Sequence, residues 1–241
     1  MDSEKKEPAK KNIKISSGGK LAIIILVCLV LFSFVLAISY AVRTAKEEEE
    51  ICRSGYCETE DKPMIYLYPQ TKTEVTVKLG NPQRLTTTYP EYNSGWKVTA
   101  EPNGKLLGQD GREYYGLYWE GKNVFYRENN EGFVVKGEDA AQFLEEKLAI
   151  LGLTEREAEE FIVYWLPKME HNEYNYVRFA SDLEIALDMP MEVSPKPDTV
   201  IRIMMITKKL DEPKTVKEQK LTPVERKGFT VVEWGGVNLG L

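Results

Sequence analysis

The chain begins with a long apolar run and then changes to short alternating patterns. Residues 21–42 contain no charged side chain and read LAIIILVCLVLFSFVLAISYAV. As a helix this run would be about 33 Å long, close to the thickness of a bilayer's hydrocarbon core. The pattern predicts a transmembrane helix over 21–42 behind a polar tail at 1–20. A cleaved signal peptide is the alternative, although its apolar core usually spans only about 7–15 residues.

Beyond residue 63 the hydrophobic period is two. Ile65 and Leu67 fall on one face of an extended segment and Tyr66 and Tyr68 on the other. Turn signals such as Asn103-Gly104 separate these segments at short intervals, which is typical of an antiparallel meander or sandwich. Strands are predicted over 64–69, 74–79, 96–101, 113–119, 124–126, 133–135, 174–180, 199–208 and 229–234.

The period changes to 3.6 between residues 140 and 166, where two apolar stripes predict two helices. Gly152 stands where a C-terminal cap glycine belongs, Thr154 and Glu157 form a capping box, and Pro167 ends the second helix. We interpret the pair as an αα-hairpin that covers the sheet. The segment 199–208 is apolar on both faces, which predicts a central strand. Residues 190–197 and 211–225 are interpreted as loops.

These elements define an α+β fold, a mainly antiparallel sheet (meander or sandwich-like) covered by the αα-hairpin and placed behind one N-terminal transmembrane helix. The predicted organisation is a cytoplasmic basic tail at 1–20, the membrane helix at 21–42, an acidic juxtamembrane stalk at 43–62 and an extracytoplasmic domain at 63–241.

Charge sets the predicted orientation. The chain of 241 residues has 32 Lys and Arg against 38 Asp and Glu, a net charge of −6, yet its first 42 residues carry six lysines and three acids. Positive charge beside an apolar helix favours the cytoplasmic side. We therefore expect a single-pass protein of the cell membrane with a cytoplasmic N-terminus. The acidic remainder argues against a nucleic-acid partner, because it would repel phosphates.

Three cysteines and one histidine limit the chemistry. Cys52 and Cys57 enclose a short loop with Gly55, and they are predicted to form a disulfide if this side is oxidising; free thiols are the alternative. Cys28 lies within the apolar run. His171 is expected at the surface, since a single imidazole among flexible carboxylates is weak evidence for a metal. No metal and no cofactor are predicted.

Two carboxylates are the weak catalytic candidates. Glu120 follows Trp119 and Glu233 precedes Trp234, each near the end of a predicted strand. If both faced one cleft, about 5–10 Å apart, they would suit glycoside hydrolysis, with the indole rings as a sugar platform. The alternative is that each forms a structural ion pair or accepts backbone N–H groups in a turn.

Aromatic residues concentrate between positions 66 and 119, and an aromatic face on a rigid sheet provides contact area for a glycan or an extended peptide. The alternative is that the rings pack the sheet against the helices. The candidate ligand-binding residues are Tyr66, Tyr68, Tyr114, Tyr118 and Trp119.

Four segments carry a family resemblance: KPMIYLYP at 62–69, TYPEYNSGWKVTAEPNG at 88–104, GREYYGLYWEG at 111–121 and ERKGFTVVEWGG at 225–236. In this order they resemble a family of bacterial proteins that are membrane-anchored or exported and have no assigned activity. The resemblance covers residues 62–241. It implies a bacterial setting and one shared domain, and it transfers no catalytic residues.

Three functions follow as hypotheses. The first is a membrane protein that displays a domain for binding cell-envelope glycan or a protein ligand. The second is an extracytoplasmic glycan hydrolase that uses Glu120 and Glu233. The third is a structural subunit of a membrane complex.

Overall fold

The computed structural model describes residues 59–123 and 126–240, together with positions 26, 29–33, 35, 36 and 39. The chain divides into two compact units, 1–50 and 51–241. In the first unit the described positions are helical, and the Ser33 hydroxyl donates to the Val30 carbonyl at 2.8 Å. Within the described residues no helix is both long and apolar enough to cross a membrane. The remaining positions of the 21–42 prediction, and Cys52 and Cys57, lie outside the described residues.

The second unit is built mainly of strands. They are β1 (Thr59–Tyr68), β2 (Thr73–Leu79), β3 (Leu85–Tyr89), β4 (Trp96–Ala100), β5 (Leu106–Gly108), β6 (Glu113–Tyr114), β7 (Leu117–Lys122), β8 (Glu131–Lys136), β9 (Tyr174–Phe179), β10 (Met191–Ser194), β11 (Thr199–Leu210), β12 (Lys217–Glu218) and β13 (Thr230–Asn238). The α-helices of this unit are α1 (Ala140–Ile150), α2 (Glu155–Trp165) and α3 (Asp182–Asp188), and short 3-10 turns span Pro82–Arg84, Gly137–Asp139 and Leu166–Lys168.

The strands form two sheets. The large sheet has the order β12-β8-β9-β11-β13-β1-β7-β3, and the small sheet has the order β10-β2-β4-β5-β6. Pairing is antiparallel except between β11 and β13 and between β12 and β8, which are parallel. The α+β class and the mainly antiparallel sheet predicted from the sequence are therefore confirmed.

The large sheet is the middle layer and is buried on both faces. One face packs on the small sheet and α3, where Ile65 and Leu67 of β1 join a core with Trp96 and Ile185. The other face packs on α1 and α2, and its buried residues come from β8, β9, β11, β13 and β1. Successive residues of β1 thus serve two different cores, as the period of two requires.

The helical hairpin agrees closely with its sequence pattern. Thr154 accepts the backbone N–H of Glu157, and the Glu157 carboxylate accepts that of Thr154 at 2.8 Å. Gly152 has φ +89, a conformation that glycine adopts without strain, and it ends the turn between the helices. The hairpin covers the sheet as predicted, and β11 lies between β9 and β13 as expected of a strand buried on both faces.

Several boundaries differ from the sequence prediction. Residues 191–194, assigned to a loop, form β10 and pair with β2 along Met191–Ser194. Residues 182–188, for which no helix was predicted, form α3, which begins at a capping box between Ser181 and Glu184. Strand β1 begins at Thr59, so the ordered sheet includes the last four residues of the predicted stalk. Tyr126 is not in a strand, and positions 124 and 125 lie outside the described residues.

Candidate functional site

A groove rich in tyrosine lies on the large sheet at the end where β1, β7 and β3 pair. Met64 of β1 is level with Tyr118 of β7, which in turn is level with Tyr89 of β3. These three side chains form a row across the sheet on the helix-facing side. The buried helix-facing core comes from the strands as far as β1, so this row stands at its margin, beside α2.

Two adjoining cavities make up the groove. The first, about 470 Å³, is lined by Tyr66, Tyr68, Asn103, Gly104, Lys105, Glu113, Tyr114, Tyr115, Arg156, Glu157 and Glu160. The second, about 310 Å³, is lined by Lys62, Met64, Tyr89, Tyr114, Tyr115, Gly116, Tyr118, Glu120 and Tyr164. Tyr114 and Tyr115 belong to both. We call this combined surface the tyrosine groove.

The rings are held rigidly at the first cavity. The planes of the Tyr66 and Tyr68 rings are nearly parallel, with an interplanar angle of 2°, and their centroids are 6.4 Å apart. The Tyr66 hydroxyl donates to Glu160 Oε2 at 2.6 Å, and burial is the main reason why the pKa of Tyr66 lies far above its usual value. The turn at Gly104 closes on Tyr68, since a Cβ at Gly104 would lie 2.7 Å from the Tyr68 ring. Both rings are therefore fixed and uncharged; Tyr68 is partly exposed and presents its surface to the cavity, whereas Tyr66 is 3% exposed and supports the cavity from the core.

The second cavity has one charge of each sign near its floor. Lys62 Nζ lies 5.2 Å from the Tyr164 ring centroid and 5.7 Å from that of Trp234. Glu120 is half-buried and makes no salt bridge among the described residues. Burial raises the pKa of Tyr118, and the neighbouring Glu120 carboxylate raises it further. Tyr89 and Tyr115 are 57% and 54% exposed, so both stand open to an incoming ligand.

Four of the five predicted binding residues line the tyrosine groove, namely Tyr66, Tyr68, Tyr114 and Tyr118. Trp119 does not, because it points to the opposite face of β7 and is fully buried between the sheets. Its Nε1–H donates to Glu233 Oε1 at 2.9 Å. The alternation along β7 separates Trp119 from its neighbours Tyr118 and Glu120.

The structure does not bring the two candidate carboxylates together. Glu120 faces the helix side of the large sheet, whereas fully buried Glu233 faces the side of the small sheet and is paired with Arg202. A glycosidase needs both carboxyl groups in one cleft, one on each side of the scissile bond. Glu120 and Glu233 lie on opposite faces of one sheet and cannot act as such a pair.

The other candidate residues give no catalytic arrangement. The His171 side chain is 86% exposed, and Glu170 Oε1 lies 3.7 Å from its Nε2. Among the described residues no group of three or more His, Cys, Asp and Glu side chains has the spacing of a metal site.

The sequence interpretation missed a cluster of buried charges beside Glu233. Glu60, assigned to the solvated stalk, is fully buried between the two sheets with Asp188 of α3 and Arg202 of β11. Its acidic neighbours at 58–61 gave no sign of this, because the pattern around it is that of a solvated linker. The only available signal was the apolar strand that follows directly at 64–67.

Comparison of the chain with protein-family models, curated proteins and solved structures found no match.

Proposed function

We propose that this domain is a binding module for a neutral glycan of the cell envelope and that the tyrosine groove is its binding site. The observation that carries the proposal is the concentration of tyrosines at an open end of the sheet face, with Tyr89 and Tyr115 exposed and Tyr66 and Tyr68 fixed behind them. Pyranose rings stack their C–H faces on aromatic side chains, and their hydroxyls hydrogen-bond to polar groups at the edge. Lys62, Asn103 and Glu120 supply such groups at the tyrosine groove.

Charge balance supports an uncharged ligand. Lys105 pairs with Glu113 at 2.5 Å, and Arg156 pairs with Glu160 at 3.1 Å. Glu157 pairs with Arg226, whose guanidinium carbon lies 5.7 Å from the Tyr68 ring. With these charges paired, and with Lys62 and Glu120 of opposite sign, the groove has no strong field of one sign to attract a polyanion or a polycation.

The backbone at the centre of the groove favours a glycan over a peptide added there as a strand, whereas the edge strands β3 and β6 border the groove on its outside. Strand β1 is paired with β13 on one side and β7 on the other, and β7 is paired with β1 and β3. A peptide that adds as a strand needs the free N–H and C=O groups of a sheet edge. The floor of the groove instead offers side chains, which is the kind of surface that sugars use.

The proposal includes an N-terminal anchor. The uncharged run at 21–42 and the six lysines before it support a single membrane-spanning helix with residues 43–241 outside the cell. The resemblance of 62–241 to anchored or exported bacterial proteins supports the same placement. On this view the domain meets its ligand outside the cell.

The test is co-sedimentation of the full-length protein, in mild detergent, with insoluble cell-wall glycan. We expect protein in the pellet and no release of reducing sugar into the supernatant. Tyr89→Ala and Tyr115→Ala should each weaken binding about two- to tenfold, which corresponds to about 0.5–1.4 kcal/mol of stacking. Tyr174→Ala, on β9 away from the tyrosine groove, is the matched control and should bind normally.

Each other result has a definite meaning. Steady release of reducing sugar would replace binding with hydrolysis. Binding unaffected by Tyr89→Ala and Tyr115→Ala would move the site elsewhere. Failure to bind glycan, together with a co-purifying membrane protein that remains after the domain is removed, would favour a structural subunit.

A further inference from the structure

A cluster of five ionisable side chains is buried between the two sheets, at the start of the domain. It brings together β1, the segment before β8, α3, β11 and β13 through the side chains of Glu60, Tyr126, Asp188, Arg202 and Glu233. Four of these residues are fully buried, and the Arg202 side chain is 11% exposed.

Two of the three acids have a guanidinium partner. Arg202 Nε donates to Glu233 Oε2 at 2.5 Å, and Arg84 Nη1 donates to Asp188 Oδ1 at 2.8 Å. Glu60 is the third acid. Among the described residues, neither of its oxygens makes a hydrogen bond. The Asp188 carboxyl is a neighbour of Glu60, and Asp188 Oδ2 is likewise without a hydrogen bond among the described residues.

Among the described residues, and with Arg84 counted as the partner of Asp188, a neutral Glu60 leaves two carboxylates facing two guanidinium groups. Burial raises the pKa of Glu60 well above its ordinary value, and Asp188 and Glu233 raise it further while Arg202 opposes them. The pKa of Tyr126 is also raised, mainly by burial and further by the nearby Glu60 and Asp188 carboxyls, so its hydroxyl stays uncharged.

Glu60 enters the cluster because of an extra residue in β1. Between Asp61 and Met64 the register slips by one residue against both neighbouring strands, and Lys62 has φ +52. We call residues 61–64 the β1 bulge. Without it, the alternation of β1 would place Glu60 on the helix side together with Met64.

The β1 bulge also carries a residue of the tyrosine groove. On the helix side, Asp61 Oδ2 lies 3.5 Å from Lys168 Nζ, and the Lys62 ammonium lies over the Tyr164 ring. A left-handed conformation at a non-glycine residue is costly and persists only where the surroundings hold it. The conformation of Lys62 is stabilised by the buried Glu60 side chain on one face of the sheet and by the contacts of Asp61 and Lys62 on the other face.

We propose that Glu60 in its neutral form is a positioning group: it holds the β1 bulge in place and thereby presents Lys62 to the tyrosine groove. Ionisation of Glu60 releases the β1 bulge and, with it, Lys62. An ionised Glu60 would be a third negative charge in a dry site beside Asp188 and Glu233. Withdrawal of residues 60–63 into water relieves that repulsion and carries Lys62 away from the Tyr164 ring. The role of Lys62 in binding rests on the proposed function, whereas the release of the β1 bulge does not.

The direction of the pH effect follows from linkage. In the released segment Glu60 ionises near its ordinary pKa, about 4.3, and in the closed structure it keeps its proton to a higher pH. The closed form, in which the β1 bulge is in place, is therefore fully favoured below about pH 4.3. Its stability relative to the released form decreases as the pH rises toward the pKa that Glu60 has in the closed form. Within that window the opening constant increases about tenfold per pH unit, since one proton is released.

The test is hydrogen exchange of the full-length protein in mild detergent, without any ligand, at several pH values between 5 and 8. After correction for intrinsic exchange, protection of the amides at 60–62 should fall by up to about tenfold per pH unit in the wild type. In Glu60→Gln, a neutral side chain of the same shape, protection should be independent of pH. Glu173→Gln, an exposed change in the turn before β9, is the matched control and should behave as the wild type does.

Two results would overturn the proposal. Protection at 60–62 that does not change with pH in the wild type would show that Glu60 ionisation opens nothing. An unchanged pH dependence in Glu60→Gln would assign the effect to a different group. The coupling to the tyrosine groove is then measured through glycan binding at pH 5 and pH 8, where Glu60→Gln should remove any pH dependence. Since exchange is measured without ligand, a failure of glycan binding leaves that test intact.

Discussion

The ion pair between Arg202 and Glu233 gives the sharpest test of the buried cluster. The Glu233 side chain is fully buried and that of Arg202 is 11% exposed, so neither charge is well solvated. In Arg202→Met, Glu233 loses its guanidinium partner and keeps, among the described residues, only the Trp119 N–H as a hydrogen-bond partner. Removing one partner of a buried pair typically costs about 3–5 kcal/mol, because the other charge is left uncompensated.

Thermal and urea unfolding measure this cost. For a domain of this size about 1 kcal/mol corresponds to roughly 2–4 °C, so Arg202→Met should lower the melting temperature by roughly 6–20 °C. Lys209→Met on the same strand is the control. Lys209 is 60% exposed in its pair with Asp211, and its loss should change the free energy of unfolding by less than about 0.5 kcal/mol.

A double-mutant cycle separates the pair from general damage to the core. In Arg202→Met with Glu233→Gln the amide oxygen still accepts the Trp119 N–H and no charge is left unpaired, so most of the lost stability should return. A loss below about 1 kcal/mol, or additive costs in the cycle, would refute this account of the cluster.

Two further predictions concern the packing of the helices on the large sheet. Gly236→Ala would place a Cβ 2.7 Å from the Trp165 ring and in a clash with the Met205 carbonyl oxygen, and it should cost about 1–3 kcal/mol in thermal unfolding. Thr154→Ala removes the hydroxyl cap of α2 and should cost about 1 kcal/mol, whereas Thr154→Ser should be close to neutral. A neutral Gly236→Ala, or equal losses from the two Thr154 variants, would contradict these explanations.

The elements that could be predicted from the sequence are those whose signal is local. The αα-hairpin is predictable from the apolar period of 3.6 and from the capping box of Thr154 and Glu157. Strand β11 is predictable from the apolar residues on both of its faces. The same local signal was available for α3, whose capping box joins Ser181 and Glu184, but the short helix of seven residues shows too little periodicity to stand out. Strand β10 was hidden by its prolines, because Pro190 and Pro195 border the four residues that pair with β2.

The candidate site was predictable only in part. Period two places Tyr66 and Tyr68 on one face, and the structure puts both in the tyrosine groove. The same rule, applied to Tyr118-Trp119-Glu120, separates Trp119 from its neighbours, so its assignment to the binding face ignored the alternation. Whether Glu120 and Glu233 meet depends on strand order and on the face that each strand turns inward, which are long-range properties absent from any short motif.

The β1 bulge shows why the buried cluster could not be predicted from the sequence at all. One added residue reverses the alternation, so an acid that precedes an apolar strand becomes a core residue and the lysine two positions later reaches the groove. Strand β1 therefore contributes to both cores, to the floor of the tyrosine groove and to the buried cluster. Residues 62 and 63 have no partner in the register with either neighbouring strand, so a change in the charge of Glu60 is absorbed within residues 60–63. Those residues are where the cluster and the groove meet, which makes them the place where a proton and a ligand can affect one another.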